Sequence, residues 1–195
     1  AERLRKGLEN DKLFNKIAVG CVGKALQLMV KRRRCKSKLQ VRGVIMKKVV
    51  KFGGISLANA EQFQKVGDII RSDESRRYVV PSAPGKRYNG DIKVTYMLYQ
   101  CYYAAANGED FDGQIKQIKA RYNEIIGGLN LKLSLDKEFE TIAENFKNKA
   151  GSDYAASRGE YLNGIVMAAF IGYPFVDSAE VIRFNKDGEF DAETT

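Results

Sequence analysis

Two hydrophobic patterns alternate along this chain: short β-branched runs and longer segments with a helical period. Residues 47–51 are predicted to form a buried strand and residues 77–81 a second strand, each followed by a loop that contains glycine or proline. Helices are predicted at about 59–71, 92–107, 110–127, 135–149 and 153–171, with a short strand near 174–177 and a hairpin turn at 184–190. Strands that alternate with helices predict an α/β domain with a largely parallel sheet.

Charge is distributed unevenly and divides the chain near Met46. Residues 1–45 contain 13 Lys and Arg against 3 Asp and Glu, a net charge of +10, whereas the remaining 150 residues contain 20 against 21, a net charge of −1. We therefore predict a basic N-terminal extension (1–45) outside a domain formed by residues 46–195. The extension contains a predicted helix at 11–30 and a basic run at 31–38. Three interpretations stay open: a disordered basic tail, an appended or upstream-read segment, and an arm that binds nucleic acid or an anionic surface.

Composition excludes several classes of protein. The chain has 195 residues, of which 44% are hydrophobic, yet no apolar run approaches the length of a membrane span. It has no histidine, which excludes histidine-based catalysis and histidine–metal sites. Cys21, Cys35 and Cys101 are odd in number and contain no Cys-x-x-Cys pair, so neither a disulfide framework nor a zinc site is indicated. We expect a cytoplasmic protein with no membrane partner and no metal-binding residues.

Candidate chemistry is concentrated directly after the first predicted strand, in Lys51-Phe52-Gly53-Gly54-Ile55-Ser56. A glycine pair lets backbone N–H groups approach an anion, and a helix start and a lysine add positive charge. The pattern favours a phosphate site, and a tight strand-to-helix turn with a surface lysine is the alternative. The phosphate-binding sequence Gly-x-x-x-x-Gly-Lys-Ser/Thr does not occur in the chain.

Separated motifs over residues 46–195 resemble aspartate kinases, members of the amino-acid kinase superfamily. The segment Lys51–Ser56 is similar to the family motif Lys-Phe-Gly-Gly-Thr-Ser. Further similar segments follow in the family's order: Ser56–Phe63, Val80–Arg87, Ile92–Thr95, Ser157–Leu162 and Asp177–Ile182. The resemblance implies the carbamate kinase-like fold, a three-layer α/β sandwich with a mostly parallel sheet, present here in truncated form.

By this resemblance, the reaction is transfer of the γ-phosphoryl group of ATP, with Mg²⁺, to the β-carboxylate of L-aspartate, the first step towards lysine, threonine and methionine. The implied roles are a catalytic Lys51, phosphate binding by Gly53, Gly54 and Ser56, and aspartate binding by Ser82, Thr95 and Glu160. Phosphoryl transfer depends on charge neutralisation and alignment, which fits these residue types. The alternatives are a helix cap for Ser82, an N-cap for Thr95 and a helix-surface carboxylate for Glu160.

Three positions depart from the family pattern. Ile55 stands where the family has threonine, Pro81 where an apolar strand residue is usual, and Tyr96 where Asp or Asn is common. Isoleucine at 55 either replaces a hydroxyl beside the phosphates or packs into the core, and proline removes a strand N–H group.

The resemblance covers the substrate-side part of the family only, so we expect an incomplete, inactive part of an enzyme whose parent is a homo-oligomer. Other amino-acid kinases are a minor alternative, against which Glu160 in Arg-Gly-Glu argues. A hypothesis of a different class is a non-catalytic interaction or nucleic-acid-binding module that acts through the basic extension. Nucleic acid is not the expected partner, because residues 46–195 carry almost no net charge.

Overall fold

Two parallel strands and five long helices make up most of the computed structural model, which describes residues 46–195. These residues fall into two units, 46–175 and 176–195. The predicted helix at 11–30 and the basic run at 31–38 lie outside the described residues, and the boundary near Met46 stays a prediction.

The first unit has the following elements: β1 (Lys48–Phe52), a 3₁₀ turn (Gly54–Leu57), α1 (Ala60–Arg71), β2 (Arg76–Pro81), α2 (Val94–Ala106), α3 (Asp112–Gly128), α4 (Asp136–Lys147) and α5 (Ser152–Ile171). The second unit contains the short helix α6 (Ser178–Val181) and an antiparallel bridge between Phe184 and Phe190. That bridge confirms the predicted hairpin. Its turn is held by the Asn185 side chain, which accepts hydrogen bonds from the backbone N–H groups of Asp187 and Glu189.

The mixed α/β class is confirmed, and the strands of the described residues are β1 and β2. They pair in parallel, with Lys51 opposite Val80 and Phe52 opposite Pro81, so their carboxyl ends meet at one edge. Pro81 is the last residue of β2, and the end of a strand tolerates the missing N–H group better than its middle.

The core of the first unit lies between the helices. Helix α2 packs against α3, α4 and α5, because each presents apolar residues at helical spacing to the others. The largest fully buried side chains include Leu57, Phe63, Leu98, Ile118, Tyr122, Ile142, Phe146 and Leu162. Burying each aliphatic or aromatic side chain of this kind contributes about 1.5–3 kcal/mol.

Helix ends agree with the sequence prediction to within about two residues, and one predicted strand is wrong. The Asn59 side chain caps α1 by accepting a hydrogen bond from the Gln62 N–H at 3.0 Å. Helix α5 ends at Ile171 and is followed by its C-cap, Gly172, whose φ of 75° lies in the left-handed region that glycine adopts readily. The extended segment 174–177 after it pairs with no strand among residues 46–195. Within those residues, no helix has the length and apolar character to cross a membrane.

Candidate functional site

The candidate site lies where β1 and β2 end, and two loops run side by side there. The first is the 3₁₀ turn after β1, and the second is the β2–α2 loop, residues 82–93. The Ser82 N–H donates to the Phe52 carbonyl at 3.0 Å, and the Gly85 N–H donates to the Gly54 carbonyl at 2.8 Å. These bonds extend the parallel pairing beyond the strands and fix the two loops against each other.

Glycine is required at the point where these loops touch. A Cβ on Gly54 would lie 2.6 Å from the Ala83 carbonyl oxygen, and a Cβ on Gly85 would lie 2.6 Å from the Gly54 carbonyl carbon. Gly53 differs, because a Cβ there would have no atom within 4 Å. Contact with the β2–α2 loop therefore accounts for Gly54, whereas Gly53 lies beside open space that a ligand could occupy.

Helix α5 brings Glu160 to the same edge. Gly159 lets α5 approach the loop closely, since a Cβ on it would lie 2.6 Å from the Ala83 Cβ. The fully buried Asn163 side chain donates from Nδ2 to the Ser82 carbonyl at 2.6 Å. The Ala83 N–H in turn donates to the Glu160 carboxylate. Residues about 80 positions apart in the sequence thus meet through three separate contacts.

The Glu160 carboxylate lies in a poorly hydrated position although the residue retains exposed surface. Desolvation raises the pKa of its carboxyl group, while hydrogen bonds from the Ala83 N–H and its own backbone, together with the charge of Lys51, act in the opposite direction. Desolvation is the largest of these effects. The ionised carboxylate is therefore incompletely compensated, and a cationic ligand would stabilise it.

The structure brings Lys51, Glu160 and the backbone of Ser82 and Ala83 together. Lys51 lies near the end of β1 with an exposed side chain, close enough to lower the pKa of Glu160. Ser82 is partly buried at the start of the β2–α2 loop. No helix begins there, so the helix-cap alternative for Ser82 is wrong.

Thr95 lies at the other end of the same loop, as the second residue of α2. Lys93 occupies the N-cap position, so the N-cap alternative for Thr95 is wrong. The Val94 N–H donates to the Pro84 carbonyl at 3.4 Å and ties this end of the loop back to its beginning. The partly buried Thr95 side chain is thus held near the same segment as Ser82.

Ser56 is exposed in the 3₁₀ turn, and its backbone N–H donates to the Gly53 carbonyl at 3.1 Å. That N–H group closes the turn, which leaves the Ser56 hydroxyl as the group that could bind phosphate. Helix α1 begins only at Ala60, so its N-terminal charge is separated from the glycine pair by the 3₁₀ turn. The assigned roles of all these residues stay predictions.

Sequence reasoning missed two residues of α3 that support the site. Arg121 is 4% exposed and bonds to the β2–α2 loop, and Tyr122 is fully buried and donates from its hydroxyl to the Gly159 carbonyl at 2.8 Å. A signal was present, because Arg121 lies between Ile118 and Ile125 on the apolar face of a predicted helix. A cation at such a position needs a buried partner.

Known proteins similar to this chain are aspartate kinases. Aspartokinase 3 of Bacillus subtilis (strain 168) is 34% identical over 149 residues, which make up 73% of this chain and 33% of that protein. The crystal structure of Clostridium acetobutylicum aspartate kinase, described as an allosteric enzyme, is similar with a TM-score of 0.73 and 50% sequence identity, over 75% of this chain and 34% of that one.

A third relative shares the fold at lower identity. The structure of E. coli aspartokinase III in complex with aspartate and ADP has a TM-score of 0.54 and 23% identity, over 71% of this chain and 33% of that one. No protein-family model matches the chain. The chain spans about a third of the length of each of these relatives.

Proposed function

We propose that this chain, which is homologous to aspartate kinases over about three quarters of its length, forms the aspartate-binding part of such a kinase. The reaction would be transfer of the ATP γ-phosphoryl group to the β-carboxylate of L-aspartate. The fold would be the carbamate kinase-like sandwich, to which β1 and β2 contribute two parallel strands.

The observation that carries this proposal is the position of Glu160 against the β2–α2 loop, where the charge of Lys51 is near enough to lower the pKa of its carboxyl group. Aspartate has one ammonium group and two carboxylates. The under-compensated Glu160 carboxylate suits the ammonium group, and the hydroxyls of Ser82 and Thr95 suit the carboxylates. Lys51 would then balance charge on the phosphoryl group as it approaches the substrate.

The residues after β1 fit a phosphate-bearing ligand. Gly53 borders open space, and the exposed Lys51 and Ser56 side chains offer an ammonium group and a hydroxyl on either side of it. Within residues 46–195, no group of three or more Asp, Glu or Cys side chains is arranged to hold a metal ion. We assign the Mg²⁺ ion to the phosphate oxygens of ATP, where it would neutralise charge, because phosphoryl transfer uses the metal in this way.

The test is calorimetric titration of the full chain with L-aspartate and with succinate, which lacks the ammonium group. We expect aspartate to bind more tightly, and Glu160→Gln to remove about 10- to 100-fold of that preference, the range expected for a hydrogen bond to a charged group. Glu109→Gln, in the exposed segment between α2 and α3, is the matched control and should change neither affinity. The proposal fails if the unaltered chain binds no aspartate, or if Glu160→Gln discriminates between the ligands as well as the unaltered chain does.

A further inference from the structure

A single buried arginine holds both ends of the β2–α2 loop. The Arg121 guanidinium donates from Nη1 to the Ile92 carbonyl at 2.6 Å and from Nη2 to the Gly85 carbonyl. Ser82 precedes Gly85 by three residues, and Thr95 follows Ile92 by three. The two hydroxyls assigned to aspartate therefore flank the two carbonyl groups that Arg121 connects.

Asp91, a buried loop residue, completes the attachment. Its Oδ2 lies 3.2 Å from Arg121 Nη2 and accepts a hydrogen bond from Arg87 Nε at 3.0 Å, while its Oδ1 accepts from Arg87 Nη2 at 3.2 Å. The Arg87 backbone N–H also donates to Oδ2, at 2.9 Å. Arg87 reaches back to α3 through Glu124, at 3.0 Å. We call Arg87, Asp91 and Arg121 the loop clamp.

Stability alone is a weak reason for this arrangement. Desolvation lowers the pKa of Arg121 more than Asp91 raises it. The attraction to Asp91 therefore does not fully offset the cost of burying this cation. Within residues 46–195 its Nε has no hydrogen-bond partner. A buried ion pair often contributes no more to stability than apolar side chains of the same size would. The ion pair does fix the geometry of the loop, because the N–H donors of a planar guanidinium point in fixed directions.

We propose that Arg121, held by Asp91, is a positioning residue that sets the separation of the Ser82 and Thr95 hydroxyls for the substrate carboxylates. This inference rests on the proposed function. It adds that aspartate affinity depends on an α3 side chain that does not touch the substrate. A displacement of about 1 Å in groups that contact a substrate can reduce catalytic efficiency by about 100-fold.

The test is a double-mutant cycle on aspartate affinity, measured by calorimetry with the full chain. Asp91→Asn keeps the shape of the side chain and removes its charge, and we expect it to weaken aspartate binding by about tenfold. Thr95→Val should weaken aspartate binding less in the Asp91→Asn background than in the unaltered chain. The reason is that a hydroxyl already displaced by Asp91→Asn has lost its contact with the substrate. If Asp91 has only a structural role, Asp91→Asn should lower the melting temperature, and the effects of Asp91→Asn and Thr95→Val on aspartate affinity should be additive.

Two further variants complete the design. Arg87→Lys keeps the charge at the more exposed end of the clamp but cannot bond Asp91 in the same bidentate way, so it serves if Asp91→Asn does not fold. Asp136→Asn removes an exposed ion pair with Lys119 away from the loop and should leave affinity unchanged. The positioning role is overturned, while the proposed function stands, if Asp91→Asn and Arg87→Lys both bind aspartate as tightly as the unaltered chain does, or if the effects of Asp91→Asn and Thr95→Val are additive. Absence of aspartate binding by the unaltered chain overturns both.

Discussion

At Glu160, the needs of binding and of stability oppose each other. Its carboxylate accepts a hydrogen bond from the Ala83 N–H and lies near Lys51, yet desolvation is the largest influence on its pKa and raises it. A carboxyl group with a raised pKa binds its proton more tightly in the folded state than in the unfolded state. Ionising Glu160 therefore costs folding free energy, and a bound ammonium group would recover that cost.

This conflict predicts that Glu160→Gln stabilises the chain at neutral pH. The unaltered chain loses stability as the pH rises from below the ordinary pKa of 4.5 through the raised folded-state value. Glutamine carries no such penalty, and its amide oxygen can still accept from Ala83. Thermal unfolding should give a higher melting temperature for the variant at pH 7, with a difference that shrinks near pH 4. A less stable variant at pH 7, with Glu109→Gln as reference, would contradict this.

Single residues also show where sequence reasoning stops. The motif around Lys51 predicted a site after β1, but it left Ile55 either beside phosphate or in the core. The structure shows the Ile55 side chain 78% exposed, so it does not pack into the core. Gly54 looked like a phosphate-binding glycine, and its close contact is with Ala83 and Gly85. The contact of Gly54 depends on a loop some 30 residues away in sequence, which a local pattern cannot place.

Among the elements, α3 supports the site through two consecutive residues. Arg121 bonds to the β2–α2 loop, and the Tyr122 hydroxyl donates to the Gly159 carbonyl, directly before Glu160. Neighbouring residues on a helix point about 100° apart, so one helix can hold two different segments at once. The backbones that carry all three residues assigned to aspartate therefore connect to α3.

We expect Tyr122→Phe to lower the free energy of unfolding by about 1 kcal/mol, the typical net contribution of one hydrogen bond. The ring stays packed against Phe139, so the change removes the hydroxyl and little else. Tyr103→Phe is the matched control, because that tyrosine is 59% exposed and its hydroxyl should add little to stability. Urea denaturation of both variants is the measurement, and equal unfolding free energies would remove the role assigned to the Tyr122 hydroxyl.

Elements were predicted more successfully than their connections. Helices α1 to α5 were found from their apolar spacing, since each is long enough to show several turns of it. The predicted strand at 174–177 was wrong because four residues are too few to show an alternating hydrophobic pattern. A strand also needs a neighbouring strand to pair with, and this segment has none among residues 46–195. The loop clamp was missed because the ion pair that ties the loop to α3 joins Asp91 and Arg121, which lie 30 residues apart in sequence.

Considered as a whole, the chain matches only about a third of each relative. Binding a substrate and transferring a phosphoryl group make different demands. Binding requires complementary groups at one place, whereas transfer also requires the donor phosphate to be held in line with the acceptor oxygen. The two activities can therefore be separated by experiment.

The 195-residue chain by itself should bind L-aspartate and fail to phosphorylate it. Lys51 and the turn after β1 supply one cation and few donors, while alignment of a triphosphate requires several preorganised groups, each worth about 3–4 kcal/mol of transition-state stabilisation. Losing two or more such groups would reduce turnover by a factor on the order of 10⁴ or more. A hydroxamate assay with ATP, Mg²⁺ and aspartate measures aspartyl phosphate directly, with Lys51→Ala as the blank. Product formation above that blank would mean that the matched third already aligns donor and acceptor, and that Lys51 acts within a complete site.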